Sequence, residues 1–164
     1  MRVVPPAADL RVAVDDSVFR RCGRNVHGAG WQHDGSSPGV SKLSYGNCFV
    51  TAGLLVRLPF CSREVCLPVL ARLHLPGKDA GPSKVEMAAA LVSQLALAFP
   101  ARIIHAVADA AYHGPALRTL PRNVTWTCRI PRNAVLYDLA PPRTGKRGRP
   151  QISAVLAAWD AAAA

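Results

Sequence analysis

Carboxylates follow two short apolar segments of the chain. Residues 10–14, LRVAV, are followed by Asp15 and Asp16, and residues 103–108, IIHAVA, are followed by Asp109. Both segments are short and contain β-branched residues, which is typical of buried central strands. Acids that two strands bring to one sheet edge can share a divalent cation, because hard cations prefer oxygen ligands. This arrangement suggests metal-assisted hydrolysis or transfer of a phosphodiester.

The competing interpretation is that these acids only cap strand ends, because Asp is common in turns. Spacing alone leaves both interpretations open. Zinc is disfavoured, because Cys22, His27 and His33 are not spaced like the ligands of a structural zinc site.

The pattern of the chain predicts five strands and one helix. The strands are expected at residues 10–14, 47–58, 66–75, 103–108 and 124–130. Pro68 marks the third of these as an edge strand or a bulged one. Ser83 and Glu86 have capping-box spacing at the start of an apolar helix that Pro100 ends. The glycine-rich residues 20–42 are predicted to form a loop.

This element order predicts an α/β fold in which antiparallel strands precede a strand–helix–strand crossover. The order resembles a ribonuclease H-like mixed sheet with helices. The final core helix is expected to be missing, because the chain becomes polar, basic and proline-rich from Pro131 onward. The predicted divisions are a core at residues 1–139, a basic segment at 140–150 and an alanine-rich tail at 151–164.

Composition favours a nucleic-acid partner. The 164 residues carry 20 Lys and Arg against 10 Asp and Glu, a net charge of +10, and half of them are hydrophobic. The candidate DNA-binding cations form two clusters: Arg20, Arg21 and Arg24, and then Arg143, Lys146, Arg147 and Arg149. Within the second cluster, residues 145–150, GKRGRP, resemble the AT-hook strips that enter a minor groove, although a solvated linker would have the same composition.

Other classes are disfavoured. The chain has no apolar run of membrane-spanning length and no signal peptide, and its five cysteines form no CxxC pair. We therefore expect a cytoplasmic protein with no membrane partner and no small-molecule substrate.

Three stretches carry a resemblance to a known family: AVDDSVFRRCGRNVHGAGWQHDGS, YGNCFVTAGLLVRLPFCSREVCLPVLARLHLPGK and VADAAYHGPAL. They resemble the DDE superfamily endonuclease transposases of bacterial insertion sequences, over about residues 10–150. The resemblance implies a ribonuclease H-like fold in which two Asp and one Glu hold Mg²⁺ or Mn²⁺. It also implies cleavage and joining of DNA at transposon ends and target, a possible homodimer, and association with the nucleoid.

The resemblance carries the first acid of the triad onto Asp16, with Asp15 as the alternative, and the second onto Asp109. No Glu follows Asp109, where the family has its third acid; the later acids are Asp138 and Asp160. The chain thus resembles an internal, truncated piece of a transposase that is inactive alone. The alternatives are a non-catalytic DNA-binding module and a non-functional remnant.

Overall fold

A computed structural model describes four stretches of the chain. They are residues 8–23, 25–37, 40–77 and 81–130. Their elements lie in the first of two units of the chain, which ends at Arg129. The predicted boundaries at 139/140 and 150/151, and the predicted absence of a final core helix, fall outside the described residues.

Six strands, one α-helix and one 3₁₀ helix make up the described fold. In chain order they are β1 (Leu10–Arg20), β2 (Gly30–His33), β3 (Leu43–Arg57), β4 (Glu64–His74), α1 (Lys84–Ala98), β5 (Ile104–Ala108), the 3₁₀ helix (Pro115–Thr119) and β6 (Val124–Cys128). No described helix has the length and apolar character needed to span a bilayer.

The strands form one mixed sheet with β1 at its centre. β3 is antiparallel to β1 and to β4, whereas β5 and β6 continue the sheet parallel to β1 on its other side. β2 pairs with the first residues of β3. The predicted α/β fold with a ribonuclease H-like mixed sheet is therefore confirmed.

Helix α1 covers one face of this sheet. Alternate residues of β1, including Val12 and Val14, point to that face and pack with Leu91 and Val92 of the helix. The predicted capping box is present, since the Glu86 N–H donates to Ser83 Oγ and the Ser83 N–H donates to Glu86 Oε2. The cap fixes where α1 begins, directly beside the end of the sheet that carries the acids.

Two features differ from the sequence-based expectation, and one is confirmed. β1 continues to Arg20 rather than ending before Asp15, because backbone pairing with β3 does not require apolar side chains. The predicted loop at residues 20–42 contains β2. The expectation of an edge or bulged strand at Pro68 is confirmed. Among the described strands β4 pairs only with β3, and the β3–β4 register shifts between Ala52 and Gly53, next to the pair of Gly53 with Pro68.

Candidate active site

The two strands that carry the acids separate just before them. Val14 and Ala108 are the last register partners of β1 and β5, so Asp15 and Asp109 occupy the next position along each strand. Beyond this point β1 pairs with β3 on one edge, and no described strand pairs with its other edge. A cleft of about 760 Å³ opens there, lined by Asp15, Asp16, Lys84, Asp109, Tyr112 and the turn at residues 33–36.

Asp16 lies on the core-facing side of β1 and accepts three hydrogen bonds. The Lys84 ammonium donates to Oδ2 at 2.7 Å, and the Cys48 thiol donates to the same oxygen at 3.2 Å. The Tyr112 hydroxyl donates to Oδ1 at 2.9 Å. Both oxygens of Asp16 are therefore engaged within the fold.

These contacts set the charge state of the cluster. Burial alone would raise the pKa of Asp16, but the hydrogen bonds from Lys84, Cys48 and Tyr112 outweigh it and hold that pKa below its ordinary value. Burial opposes the charge of Lys84 as well, yet the carboxylate of Asp16 raises the Lys84 pKa. Burial and the Asp16 carboxylate raise the pKa of Cys48 to about 11. They also raise the pKa of Tyr112 well above its ordinary value. At neutral pH the cluster is an ion pair flanked by a neutral thiol and a neutral phenol.

Asp15 occupies a different environment from its neighbour. Successive residues of a strand point to opposite faces, so Asp15 lies on the face away from α1, and it is exposed where Asp16 is half-buried. Its Oδ1 accepts a hydrogen bond from the Asp16 N–H at 2.8 Å. Partial burial raises the pKa of Asp15, and the negative charges of Asp16 and Asp109 raise it further. An acid repelled by two neighbouring carboxylates is one that a cation would stabilise.

Asp109 begins a tight turn directly after β5. Its Oδ1 accepts from the Ala111 N–H at 2.9 Å, and its carbonyl oxygen accepts from the Tyr112 N–H at 3.3 Å. The Tyr112 carbonyl in turn accepts from the indole N–H of Trp126 at 3.1 Å. The turn that follows the second acid is thus anchored to β6 through Tyr112.

Asp34 holds the turn that forms one wall of the cleft. Its carboxylate accepts from the N–H and hydroxyl of Ser36 and from the Ser44 hydroxyl, and these bonds hold its pKa well below the ordinary value. Arg20 approaches the same carboxylate at 3.5 Å, and Arg21 donates to the Asn47 side chain at 3.2 Å. Asp34 is a structural acid that fixes the wall of the cleft.

The other predicted DNA-binding cations lie outside the described residues. They are Arg24, Arg143, Lys146, Arg147 and Arg149.

Two carboxylates in the cleft suit a hard divalent cation. Asp15 and Asp109 each have one oxygen bonded to a nearby backbone N–H and a second oxygen that accepts no hydrogen bond from the described residues. Mg²⁺ in proteins is commonly held by one or two carboxylates, with water and substrate phosphate completing its shell. Within the described ranges, no group of three His, Cys, Asp or Glu side chains is placed to hold a metal.

Sequence reasoning did not identify Lys84 as part of the site. The available signal was its position as the first residue of α1, where a cation opposes the helix dipole. The ion pair with Asp16 compensates for the unfavourable interaction of Lys84 with the helix dipole.

Comparison with known proteins supports the assignment of the chain to a family. The family model described as DDE superfamily endonuclease matches residues 1–163. No curated protein and no solved structure matches the chain.

Proposed function

The chain belongs to the DDE superfamily endonuclease family, and from that premise we propose that it is a divalent-metal-dependent nuclease domain acting on DNA. The finer proposal is that it comes from the transposase of a bacterial insertion sequence. The observation that carries the proposal is the pair of acids, Asp15 and Asp109, which two adjacent parallel strands deliver to one cleft.

In this proposal Asp15 and Asp109 supply the oxygens that hold Mg²⁺ or Mn²⁺. Both keep a carboxylate oxygen unbonded among the described residues, whereas both oxygens of Asp16 accept hydrogen bonds. We therefore assign the first acid to Asp15 and not to Asp16. When bound, a divalent cation would neutralise charge on the phosphate and favour deprotonation of the attacking water or hydroxyl.

DNA is the proposed partner because the chain is strongly basic. A net charge of +10 favours contact with a phosphate backbone, and Arg suits bidentate phosphate recognition. Lys84 lines the same cleft as the two acids, so a phosphodiester that enters the cleft would meet a cation as well as the carboxylates. A homodimer remains a prediction from the resemblance.

The proposed activity requires a further carboxylate. The chain has no Glu after Asp109, and its later acids, Asp138 and Asp160, lie outside the described residues. Two carboxylates can hold one cation, whereas phosphoryl transfer with two metals needs oxygen ligands for both. We therefore propose that the chain binds DNA and one metal ion but is a weak or inactive nuclease alone.

Binding of Mn²⁺, followed by electron paramagnetic resonance of the free ion, tests the acid pair directly. The wild-type chain and an Asp9→Asn control are expected to bind Mn²⁺. Asp9 is a suitable control because it is an exposed acid that contacts His105 and does not line the cleft. Asp15→Asn and Asp109→Asn are each expected to weaken binding at least tenfold.

Two outcomes would count against the proposal. If the wild-type chain binds no Mn²⁺, the metal site is refuted. If it then still binds DNA, the non-catalytic DNA-binding module becomes the better description.

A further inference from the structure

The Asp16 cluster joins three elements that are far apart in the chain. Asp16 belongs to β1, Lys84 begins α1, and Tyr112 lies in the turn after β5. The Asp16 and Lys84 side chains are 19% and 26% exposed, and Tyr112 is 1% exposed. Hydrogen bonds to a charged group in such a partly desolvated setting are stronger than those between neutral groups.

Tyr112 connects this cluster to the proposed metal ligand. Its hydroxyl is held by Asp16, its carbonyl by Trp126, and its N–H by the carbonyl of Asp109. The Asp109 carboxylate in turn accepts from the Ala111 N–H inside the same turn. A residue fixed at both its side chain and its backbone restricts the conformations of the turn that orients Asp109.

Lys84 holds the other oxygen of the Asp16 carboxylate. A lysine at the first position of a helix is disfavoured by the helix dipole, and its contact with Asp16 Oδ2 at 2.7 Å places Lys84 there and leaves Oδ1 to Tyr112. The Asp16 carboxylate is therefore a fixed acceptor for the Tyr112 hydroxyl rather than a free ligand.

We infer that Asp16 is a positioning residue: through Tyr112 it fixes the turn at residues 109–112 and so holds the Asp109 carboxylate beside Asp15. This inference rests on the proposed metal site at Asp15 and Asp109. Partners that orient metal ligands typically contribute about 10–100-fold to metal affinity, although they do not touch the metal.

Two measurements on the full 164-residue chain test the inference. The first is Mn²⁺ affinity. Tyr112→Phe removes only the hydroxyl and is expected to weaken Mn²⁺ binding about tenfold. Tyr45→Phe is the matched control, because Tyr45 is half-buried against Trp31 and does not line the cleft.

Substitutions of Asp16 separate positioning from ligation. Asp16→Asn keeps an oxygen that can accept from Tyr112 and is expected to retain Mn²⁺ affinity within about threefold, whereas Asp16→Ala should lose about tenfold. If Asp16→Asn weakens binding as much as Asp109→Asn while Tyr112→Phe has no effect, Asp16 is itself a ligand and the inference is wrong.

The second measurement does not depend on metal. Hydrogen exchange of the Ala111 amide, which donates to Asp109, is expected to become at least tenfold faster in Tyr112→Phe and to stay unchanged in Tyr45→Phe. Unchanged exchange in Tyr112→Phe would overturn the inference whether or not the chain binds Mn²⁺. Faster exchange in a chain that binds no Mn²⁺ would instead support the tether and refute only the proposed metal site.

Discussion

At the scale of single residues, Asp15 and Asp16 are adjacent in sequence but differ in environment. Asp16 faces α1 and is paired with Lys84, whereas Asp15 faces the other way and is repelled by neighbouring carboxylates. Asp16 therefore already has a cation as its partner, whereas a bound cation would stabilise the charge of its neighbour Asp15. The division of roles that we propose follows from this difference.

Replacing Lys84 by Met should destabilise the protein in a pH-dependent way. At pH 7 the change leaves the Asp16 carboxylate half-buried without its cation, at an expected cost of about 2 kcal/mol, less than for a fully buried pair because both groups keep some solvent contact. Burial would then dominate and raise the pKa of Asp16, so the variant should take up a proton at Asp16 as the pH falls. The stability deficit should shrink between pH 7 and pH 4.

The wild-type chain should behave differently over the same range. Its Asp16 pKa is lowered, so the stability from the ionised carboxylate is present above the unfolded pKa and is lost only as the pH falls through the folded pKa. Denaturant unfolding at several pH values measures both chains. Lys42→Met is the control, because Lys42 bonds a backbone carbonyl rather than a carboxylate. A deficit for Lys84→Met that does not change with pH would contradict this account of the pair.

At the scale of elements, the end of β1 beyond Val14 shapes the site. Here β1 keeps β3 as a partner but has left β5, and the edge that pairs with no described strand borders the cleft. Close packing of β1 on β3 at Gly46 holds this part of the strand. A β-carbon at Gly46 would lie 2.2 Å from the Phe19 carbonyl oxygen, and Gly46 is also the register partner of Gly30 in β2.

Gly46→Ala should therefore disrupt the junction of β1, β2 and β3. The contact is with backbone, which cannot move aside as a flexible side chain can, so we expect a loss of about 3 kcal/mol in unfolding free energy. Gly35→Ala serves as the control, since a β-carbon there meets nothing within 4 Å and should change stability by less than about 0.5 kcal/mol. Thermal or denaturant unfolding measures both stability changes. Equal changes for the two substitutions would show that the strands at Gly46 are not closely packed.

At the scale of the whole molecule, the excess of positive charge should govern DNA binding. Phosphate contacts release counterions, so affinity is expected to fall steeply with salt and to depend little on sequence. Arg147→Ala combined with Arg149→Ala should weaken binding and reduce the log–log salt slope by about 1.8, which corresponds to two phosphate contacts. Fluorescence anisotropy across a salt series measures this slope.

A double variant at the connection between β3 and β4 provides the comparison. Arg57 and Arg63 are exposed near the β3–β4 connection, away from the cleft, and their replacement by Ala should change the slope less. Affinity that does not respond to salt would show that the basic residues do not form a nucleic-acid surface.

The proposed catalysis would also be a property of the whole molecule, because it would need acids from several elements. In Mg²⁺ or Mn²⁺, we expect the 164-residue chain to nick supercoiled plasmid no faster than an Asp109→Ala variant, since two carboxylates hold one metal ion only. Gel analysis of plasmid topology measures the rate. Nicking well above that control would be evidence for a third acid within the chain, and Asp138→Asn and Asp160→Asn would identify it.

Much of this architecture could be predicted from the sequence because it depends on local patterns. The apolar segments at residues 10–14 and 103–108 mark the two central strands, and the capping box at Ser83 and Glu86 marks the start of the helix. Asp109 at the end of β5 is equally visible, because strand and acid are contiguous. Periodicity and capping act over a few residues, so neighbouring sequence is sufficient to determine them.

The identity of the partners within the site was decided only by the tertiary structure. Asp16 meets Lys84 and Tyr112 across 68 and 96 residues, and no local pattern specifies such pairs. The continuation of β1 to Arg20 likewise depends on pairing with β3 rather than on its own apolar residues. Sheet register places one of two adjacent acids toward the helix and the other away from it, because side chains alternate along a strand.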